Sequence, residues 1–285
     1  MPHYDILGSH LEKVHVPGLV NAFIISNTHL ESILLNRNLV GLAFTKRCES
    51  STESFLQHFR PELTDCIQSG IAELMLLSKG VYYWMHNAFG TVFDRNLEIN
   101  FAATSRDKVS EQNAEINLTY VNFDAPAKTL ILGDTIATGA TVCKALSSYR
   151  EHWPLERVFL FAMAGSILGG QTISSFCESQ GIELTLAYGL AAFGLGSNGF
   201  DLSFLHPDTI TSERYRERAR QLYKGQPVSA AGWDFGTQAQ ALKKYRMLSW
   251  IEAERWGLLE NEAMSEIEPP NDSDLVMKER SAYTS

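Results

Sequence analysis

The sequence has little cysteine, and its cysteines are not spaced to build a site. Only four occur in 285 residues, scattered at Cys48, Cys66, Cys143 and Cys177 without a CxxC spacing. Neither a disulfide framework nor a zinc ribbon is therefore expected. Histidine gives no metal signal either, because no HxxxH spacing or histidine–carboxylate cluster argues for a transition-metal site.

Long apolar runs and basic charge are also missing. No stretch approaches the roughly 20 apolar residues that span a bilayer. The first residues, MPHYDILGSHLEKVH, carry charges and histidines where a signal peptide needs an apolar segment. Lys and Arg number 24 against 33 Asp and Glu, a formal net charge of −9. These absences predict a cytoplasmic protein that binds neither a membrane nor nucleic acid.

Apolar side chains, by contrast, are plentiful. They make up 45% of the sequence, and charged residues only 20%, so a substantial core is expected. The acidity is uneven: residues 260–285 hold seven acids against two bases, or −5 of the −9. The body is therefore only mildly acidic and is compatible with a local anion-binding pocket.

Short apolar strands alternate with helical segments from about residue 72. The predicted strands are AELMLL, LEINFAAT, EINLTYVNF, KTLIL, ERVFLFAMAG and IELTLAYGL, and the predicted helices VYYWMHNAFGTVF, VCKALSSYREH and QTISSFCESQG. The polar stretch SRDKVSEQNA is predicted as a loop or hairpin tip. This alternation predicts an α/β fold with a mostly parallel sheet flanked by helices.

The composition divides the chain into four segments. Residues 1–39 are predicted as a mixed segment that packs on the core, 40–205 as the α/β core, 206–264 as a helical C-terminal extension, and 265–285 as a disordered acidic tail. Within the core, Pro61 is expected in the first turn of a helix. Gly181 is expected to end another helix as its C-cap.

The most informative segment is GDTIATGAT, which follows the apolar strand of residues 130–132 and precedes a helix. Backbone N–H groups of such a turn and helix start point at an anion. Thr138 and Thr141 add hydroxyl donors, and Gly139 allows close approach of the backbone. Asp134 is placed to accept hydrogen bonds from sugar hydroxyls. This pattern predicts a sugar-phosphate site; the alternative is that the threonines merely cap the helix.

GDTIATGAT resembles the 5-phosphoribosyl 1-diphosphate (PRPP) loop of type I phosphoribosyltransferases, in which two acids and a short spacer precede TGxT. FAATSRDKVSEQNAEINLTYVNFDAPAKTLIL and YGLAAFGLGSNGFD resemble the hairpin and the base-binding loop of the uracil phosphoribosyltransferase branch. LSKG, residues 77–80, stands where that branch has its pyrophosphate loop. The similarity covers about residues 72–205.

The resemblance implies transfer of phosphoribose from PRPP to a small heterocyclic, pyrimidine-like acceptor, through nitrogen or carbon, with release of pyrophosphate. It implies Mg²⁺ as cofactor, held through PRPP and water with no direct protein ligand, and a homodimer is expected. The implied catalytic residues are Asp134, Arg106 and Lys79. The implied PRPP-binding residues are Lys79, Gly80, Asp134, Thr135, Ala137, Thr138, Gly139, Ala140 and Thr141. The implied acceptor-binding residues are Phe193, Gly194, Gly196, Ser197, Gly199, Phe200 and Asp201.

The sequence departs from this family pattern at three positions. Gly133 stands where the first acid is expected, Ser197 replaces an aspartate, and Asp201 falls one position late. These departures motivate an alternative, a non-catalytic ligand-sensing or regulatory protein. A third hypothesis, an assembly protein joined through C-terminal helices, leaves GDTIATGAT unexplained.

Several other residues have competing interpretations. Arg106 and Lys108 lie in a loop that either closes over PRPP or is a solvated hairpin. Residues 233–236, WDFG, either cover a base pocket or anchor the C-terminal helices. His86 is predicted as a hydrogen-bonded structural histidine, and Cys143 as a packing residue. The arginines of SERYRERAR are predicted to form a solvated helix face with i, i+4 ion pairs, with an RNA-contacting patch as the minor alternative.

Overall fold

The computed structural model describes residues 8–36, 39, 41–77, 80–108, 114–197, 199–225, 227–230 and 256. The strands are β1 (His10–Val14), β2 (Ala22–Ser26), β3 (Ile71–Leu76), β4 (Glu98–Lys108), β5 (Ala114–Asn122), β6 (Thr129–Gly133), β7 (Arg157–Ala162), β8 (Gly165–Ser166), β9 (Glu183–Gly189), β10 (Ala191–Phe193) and β11 (Ile210–Thr211). The helices are α1 (Thr28–Leu35), α2 (Gly41–His58), α3 (Arg60–Ser69), α4 (Met85–Phe93), α5 (Ala140–His152), α6 (Ile167–Ser179) and α7 (Glu213–Leu222), with a 3₁₀ turn at Gly80–Tyr83.

Eight strands form one sheet in the order β1-β2-β9-β7-β6-β3-β4-β5. The six inner strands, β2 to β4 in that order, run parallel, and β1 and β5 pair antiparallel at the two edges. A second, small sheet has the order β11-β10-β8. The predicted α/β fold with a mostly parallel, helix-flanked sheet is confirmed.

The central strand β6 shows how the sheet is buried on both faces. All five of its residues are buried. Ile131 packs into a core cluster with residues of α1 to α4, whereas Leu130 and Leu132 pack into a second cluster with residues of α5 and α6. A strand covered on both faces needs apolar side chains at every position, which is why TLIL reads as a continuous apolar run.

Two predicted boundaries differ from the structure. Strand β4 extends into the polar stretch that was expected to be a loop or hairpin tip, so Arg106 and Lys108 lie in β4, opposite Ile116 and Ala114, whereas residues 109–113 lie outside the described residues. The β3 strand pairs with β4 only as far as Ala102, and the remaining hairpin is a two-stranded ribbon that needs no apolar face. The predicted helix VYYWMHNAFGTVF is split, because Trp84 has left-handed backbone angles (φ 50°, ψ 40°).

The terminal segments are placed as follows. Residues up to 39 supply β1, β2 and α1, and β2 pairs with β9 in the main sheet. Pro61 lies in the first turn of α3, as predicted. The WDFG segment and the acidic tail lie outside the described residues, and the four-segment division stays a prediction. Within the described ranges, no helix has the length and apolar character to cross a bilayer.

Candidate functional site

The chain changes direction through the sheet between β3 and β6. These two strands are parallel neighbours. From β3 the chain passes along one face through α4 to β4, and from β6 it passes along the other face through α5 to β7. The loops after the two strands therefore diverge at their carboxyl ends, and ligands of open α/β sheets bind in the crevice at such switch points. The loops are residues 77–84 and 134–139.

The first half of the predicted PRPP loop is fixed by backbone hydrogen bonds. The Asp134 N–H donates to the Phe161 carbonyl at 3.1 Å. The Ile136 N–H donates to the Ala164 carbonyl at 3.1 Å, and its carbonyl accepts from the Ser166 N–H at 2.8 Å. These bonds tie the loop to the end of β7 and to β8, so Asp134 starts from a rigid backbone.

The Asp134 side chain is largely buried, with 7% of the residue exposed. Its Oδ1 accepts a hydrogen bond from the Thr135 N–H at 2.8 Å. Further along the loop, exposure rises: Thr138 is exposed, and Ala137, Ala140 and Thr141 are partly exposed. The turn therefore presents an open surface beside a nearly buried carboxylate.

In the part of the chain that the structure describes, the start of α5, like the starts of α3, α4 and α7, has no side-chain cap, whereas α1 and α6 have one. At α1 the Asn27 Oδ1 accepts from the Leu30 N–H, and at α6 the Ser166 Oγ accepts from the Gly169 N–H, both at 2.8 Å. At α5 the N-cap is Gly139, and no side-chain cap is formed there among the described residues. The alternative that the threonines merely cap this helix is therefore wrong. The first N–H groups of a helix have no intrahelical acceptor, so they are available to an anion.

Gly139 has a different role from the one predicted. Its φ is +81°, and a Cβ built on it would lie 2.5 Å from the Gly169 carbonyl oxygen and 3.0 Å from Ile173 Cγ1. The missing side chain thus faces α6 and not the open side of the turn. Gly139 is needed for close packing of the loop on α6, and a larger residue would meet that helix before it met a phosphate.

Gly133, where the family pattern has an acid, is explained by a residue that the sequence analysis did not single out. A Cβ at Gly133 would lie 2.2 Å from Cγ of Tyr83. The Tyr83 hydroxyl donates to the Asp134 carbonyl at 2.8 Å and accepts from the Met163 N–H at 2.9 Å. The only sequence signal for Tyr83 was the anomaly at Gly133 itself.

The predicted pyrophosphate loop lies beside the PRPP loop. A Cβ at Gly80 would lie 3.0 Å from the Gly133 carbonyl oxygen, so the backbones of the two loops approach closely. Lys79 lies outside the described residues. The structure therefore brings the end of the 77–80 segment to the start of the PRPP loop, and the role of Lys79 stays a prediction.

The predicted acceptor loop begins near the PRPP loop. Ala192 pairs with Gly165, and Gly165 in turn bridges Ile136. Two strand spacings of about 4.8 Å put Ala192 roughly 10 Å from Ile136. The segment that follows β10 therefore starts close to the loop of residues 134–139, which borders the crevice.

The acceptor-loop residues differ in accessibility. Phe193 is fully buried and packs edge-on against Phe204, with ring centroids 5.0 Å apart, so its implied role as an acceptor-binding residue is corrected. A Cβ at Gly194 would lie 1.9 Å from Nδ1 of His206, so this glycine serves packing. The other positions divide into buried Gly196 and Asp201, partly exposed Gly199, and exposed Ser197 and Phe200. The two exposed side chains are the ones that can meet a ligand.

A hydrogen-bond network from the C-terminal extension holds this loop. The Gly194 N–H donates to the Thr209 hydroxyl at 2.9 Å, which itself donates to the Ser203 carbonyl at 2.8 Å. From α7, the Arg216 guanidinium donates to the carbonyls of Phe204 at 2.9 Å and Thr209 at 2.6 Å. Sequence reasoning missed Arg216 because its partners are carbonyls, which leave no side-chain pattern.

The remaining arginines of α7 form ion pairs on a helix face that is partly solvated, with the Arg214 side chain 71% exposed and that of Arg218 43%. Arg214 and Arg218 both pair with Glu31 of α1, and Arg220 pairs with Glu217. The face is thus partly docked on α1, and an RNA-contacting patch has no support from this geometry.

Two other predicted residues have the structural roles expected for them. His86 Nδ1 lies 3.1 Å from Oε2 of the buried Glu73, and this hydrogen bond raises the pKa of His86. Burial raises the pKa of the Cys143 thiol to about 11, so it is not an activated nucleophile.

No family model matches the chain, and no curated protein does. Among solved structures, the AQ2163 protein from Aquifex aeolicus is similar, with a TM-score of 0.45 and 16% identity over 60% of this chain and 90% of that one. An adenine phosphoribosyl transferase from Trypanosoma brucei, solved in complex with AMP, pyrophosphate and ribose-5-phosphate, has a TM-score of 0.40 and 13% identity over 62% and 87%. An orotate phosphoribosyltransferase from Aeropyrum pernix has a TM-score of 0.32 and 14% identity over 49% and 70%. Phosphoribosyltransferases are thus among the structures to which this chain is similar.

Proposed function

We propose that the protein transfers a phosphoribosyl group from PRPP to a small heterocyclic acceptor and releases pyrophosphate. The observation that carries this proposal is the uncapped start of α5 directly after Asp134, at the switch point of the sheet. Free helix N–H groups suit a phosphate, and a nearby carboxylate suits sugar hydroxyls. One ligand that carries both groups is a ribose 5-phosphate unit.

In this proposal the 5-phosphate binds at residues 138–141 and the ribose hydroxyls bind to Asp134. The acceptor attacks C1 of the ribose as the C1–O bond to pyrophosphate breaks, and the bonding electrons leave with pyrophosphate. The acceptor's proton passes to solvent. Because the transition state is oxocarbenium-like, catalysis consists mainly of positioning and of neutralising the leaving group. Lys79 and Arg106 are the proposed cations for that neutralisation.

Mg²⁺ is proposed as the cofactor. Oxygen donors line this edge, namely the Asp134 carboxylate and the Thr135 and Thr138 hydroxyls, and oxygen is the donor type that Mg²⁺ prefers. Within the described residues, no three His, Cys, Asp or Glu side chains gather to hold a metal ion. As the resemblance implies, we assign the ion to the phosphate oxygens of PRPP and to water, where it would offset their negative charge.

The acceptor is proposed to be pyrimidine-like, as in the uracil phosphoribosyltransferase branch, and to bind at the loop of residues 194–201. Phe200 is 60% exposed, and its ring is the proposed stacking face for the acceptor. Ser197, also exposed, offers a hydroxyl to the ring edge. A homodimer in the cytoplasm belongs to the same proposal.

A non-catalytic ligand-sensing protein is the second candidate, and Gly133 is the observation that favours it. The Tyr83 ring leaves no space for a second carboxylate at this position. A site with one acid would bind a ribose phosphate while transferring it slowly or not at all. The two candidates differ in turnover and share the ligand.

The test measures pyrophosphate release from PRPP with Mg²⁺ and, in turn, uracil, cytosine, orotate, adenine and hypoxanthine. Binding of PRPP and ribose 5-phosphate is measured in parallel by the rise in melting temperature. Asp134→Asn is the site variant. Asp124→Asn is the matched control. Asp124 is exposed and precedes β6, so it lies toward the amino end of that strand, whereas Asp134 follows its carboxyl end.

The transferase proposal expects pyrophosphate release with at least one base, lost in Asp134→Asn and kept in Asp124→Asn. Binding without release for any base supports the sensor instead. If neither PRPP nor ribose 5-phosphate raises the melting temperature of the wild-type protein, both candidates are wrong.

A further inference from the structure

Tyr83 occupies a central position at the crevice. It is the last residue of the 3₁₀ turn that follows the 77–80 segment, and it is only 2% exposed. Its ring packs edge-on against Phe161 of β7, with centroids 5.7 Å apart. The Tyr83 side chain also fills the space beside Gly133, where a Cβ would lie 2.2 Å from its Cγ, 2.3 Å from its Cδ1 and 2.7 Å from its Cβ. Any side chain at position 133 would collide with it.

The Tyr83 hydroxyl joins the ends of two neighbouring strands. It donates to the Asp134 carbonyl, directly after β6, and accepts from the Met163 N–H, directly after β7. Burial raises the pKa of Tyr83 well above its ordinary value, so the hydroxyl keeps its proton and remains a donor. A buried hydroxyl that satisfies two backbone groups fixes their relative position, because breaking either bond leaves an unpaired buried group.

We infer that Tyr83 is the positioning residue for Asp134, the carboxylate proposed to bind the ribose hydroxyls. Tyr83 takes the space of the missing acid and orients Asp134 through the Asp134 backbone. This inference rests on the proposed ribose-phosphate site. It explains why the site retains only one of two acids, since an aromatic side chain has replaced the other. It also separates two parts of ligand binding, because Tyr83 bonds the backbone of Asp134 and not the turn of residues 138–141.

The first experiment compares Tyr83→Phe with Tyr149→Phe. Both tyrosines are buried, and Tyr149 similarly bonds backbone groups, accepting from the Ala127 N–H at 2.8 Å and donating to the Ala127 carbonyl at 3.0 Å. Its partner, Ala127, precedes β6 and so lies at the amino end of that strand. The two variants therefore lose comparable buried hydroxyls, at the two ends of the same strand.

The ligands are ribose 5-phosphate and inorganic phosphate, measured by calorimetry. We expect Tyr83→Phe to raise the dissociation constant for ribose 5-phosphate about tenfold and to change that for inorganic phosphate less than twofold. Tyr149→Phe should change neither, although both variants lose thermal stability. Equal changes for the two ligands, or equal changes in the two variants, would reduce Tyr83 to a general structural residue.

Hydrogen exchange gives a readout that needs no ligand. In Tyr83→Phe the Met163 amide loses its acceptor, so peptides that cover residues 163 and 134–136 should exchange faster than in the wild type, and those in α5 should not. If the wild type binds neither ligand, the proposed site fails, and the exchange result still decides whether Tyr83 orients Asp134. Unchanged exchange in these peptides would overturn the inference.

A double-mutant cycle tests whether the ring occupies the space of the acid. Gly133→Ala should lower the melting temperature strongly in the wild type and less in a Tyr83→Ala background, because the ring carbons at 2.2 and 2.3 Å are gone and only the Tyr83 Cβ at 2.7 Å remains. Additive losses would show that Tyr83 does not exclude a side chain at position 133. Tyr83→Gly, which also removes that Cβ, provides the second background.

Discussion

Gly139→Ala tests directly how the turn of the predicted PRPP loop packs on α6. The residue has φ +81°, which L-residues adopt at a cost of about 1–2 kcal/mol. The added Cβ would also lie 2.5 Å from the Gly169 carbonyl oxygen, which belongs to the backbone of α6 and cannot move aside as a flexible side chain can. Overpacking of this kind costs about 1–3 kcal/mol. The two costs together predict a loss of about 2–5 kcal/mol.

Gly181→Ala is the control that separates these two costs. Gly181 has φ +66° and follows α6, where its N–H donates to the Glu178 carbonyl at 3.1 Å, as expected for the predicted C-cap glycine. A Cβ there would have no atom within 4 Å. Gly181→Ala should therefore cost only the left-handed term, about 1–2 kcal/mol.

Urea unfolding followed by circular dichroism measures both free energies of unfolding, provided that the slope with denaturant is unchanged. We expect Gly139→Ala to lose more than Gly181→Ala by about 1–3 kcal/mol, the overpacking cost. Equal losses would mean that the loop shifts freely away from α6. In that case Gly139 would not be required for packing on α6, and the prediction that it lets a ligand approach the backbone closely would be favoured.

Three further predictions concern other residues. Asp134→Asn keeps the Oδ1 acceptor and should leave the melting temperature nearly unchanged, but the loss of two charge-assisted bonds of about 1.5–3 kcal/mol each predicts a rise of roughly 10² to 10⁴ in the PRPP dissociation constant by calorimetry. Arg216→Ala removes donors to backbone carbonyls and should speed hydrogen exchange across residues 203–209, whereas Arg214→Ala, whose side chain is 71% exposed, should not. The pKa of His86 is raised in the fold by Glu73, so its stabilising contribution is complete below about pH 6.5 and is lost as pH rises through the folded pKa. The pKa of Glu73 is raised by burial, so unfolding titrations from pH 5 to 9 should show this fall in the wild type and a flatter profile only when both groups are replaced, as in the double variant Glu73→Gln with His86→Gln.

The α/β core was predictable from sequence because its strands are buried on both faces. TLIL and VFLFA are unbroken apolar runs with the length of strands, and the helices between them are amphipathic. Strand β5 was predicted from its alternating pattern, but the end of β4, residues 105–108, was not. These residues pair only with β5, beyond the last residue that β4 pairs with β3, so the polar sequence there gave no strand signal.

The helix break at Trp84 was hidden for a different reason. Apolar residues recur from Val81 to Phe93 as in a helix, and this periodicity does not show that Trp84 has a positive φ. Tertiary contacts set this conformation: Tyr83 turns inward to Asp134, and α4 starts afresh at Met85. Local sequence carries no signal for a contact that spans fifty residues.

The same distinction applies within the site. GDTIATGAT is contiguous, so its carboxylate, turn and helix start were recognised together. Gly194, in contrast, is implied as an acceptor-binding residue, although His206 occupies the space that a side chain there would fill. A glycine in a loop indicates that something lies close to its Cα, and sequence alone does not distinguish a ligand from a neighbouring side chain.

The two loops of the proposed site are held by different parts of the chain, which bears on how acceptor choice is set. The predicted PRPP loop is fixed from within the core, by Tyr83 and by its backbone hydrogen bonds to the end of β7 and to β8. The acceptor loop is fixed from the extension: Arg216 bonds the carbonyls that follow it, and the Leu202 N–H donates to the Ser229 hydroxyl at 3.1 Å. Changes in the extension can therefore alter the predicted acceptor loop while the proposed ribose-phosphate contacts stay in place. Arg216 and Ser229 are thus part of the architecture of the proposed site, because they bond backbone groups of residues 202–209.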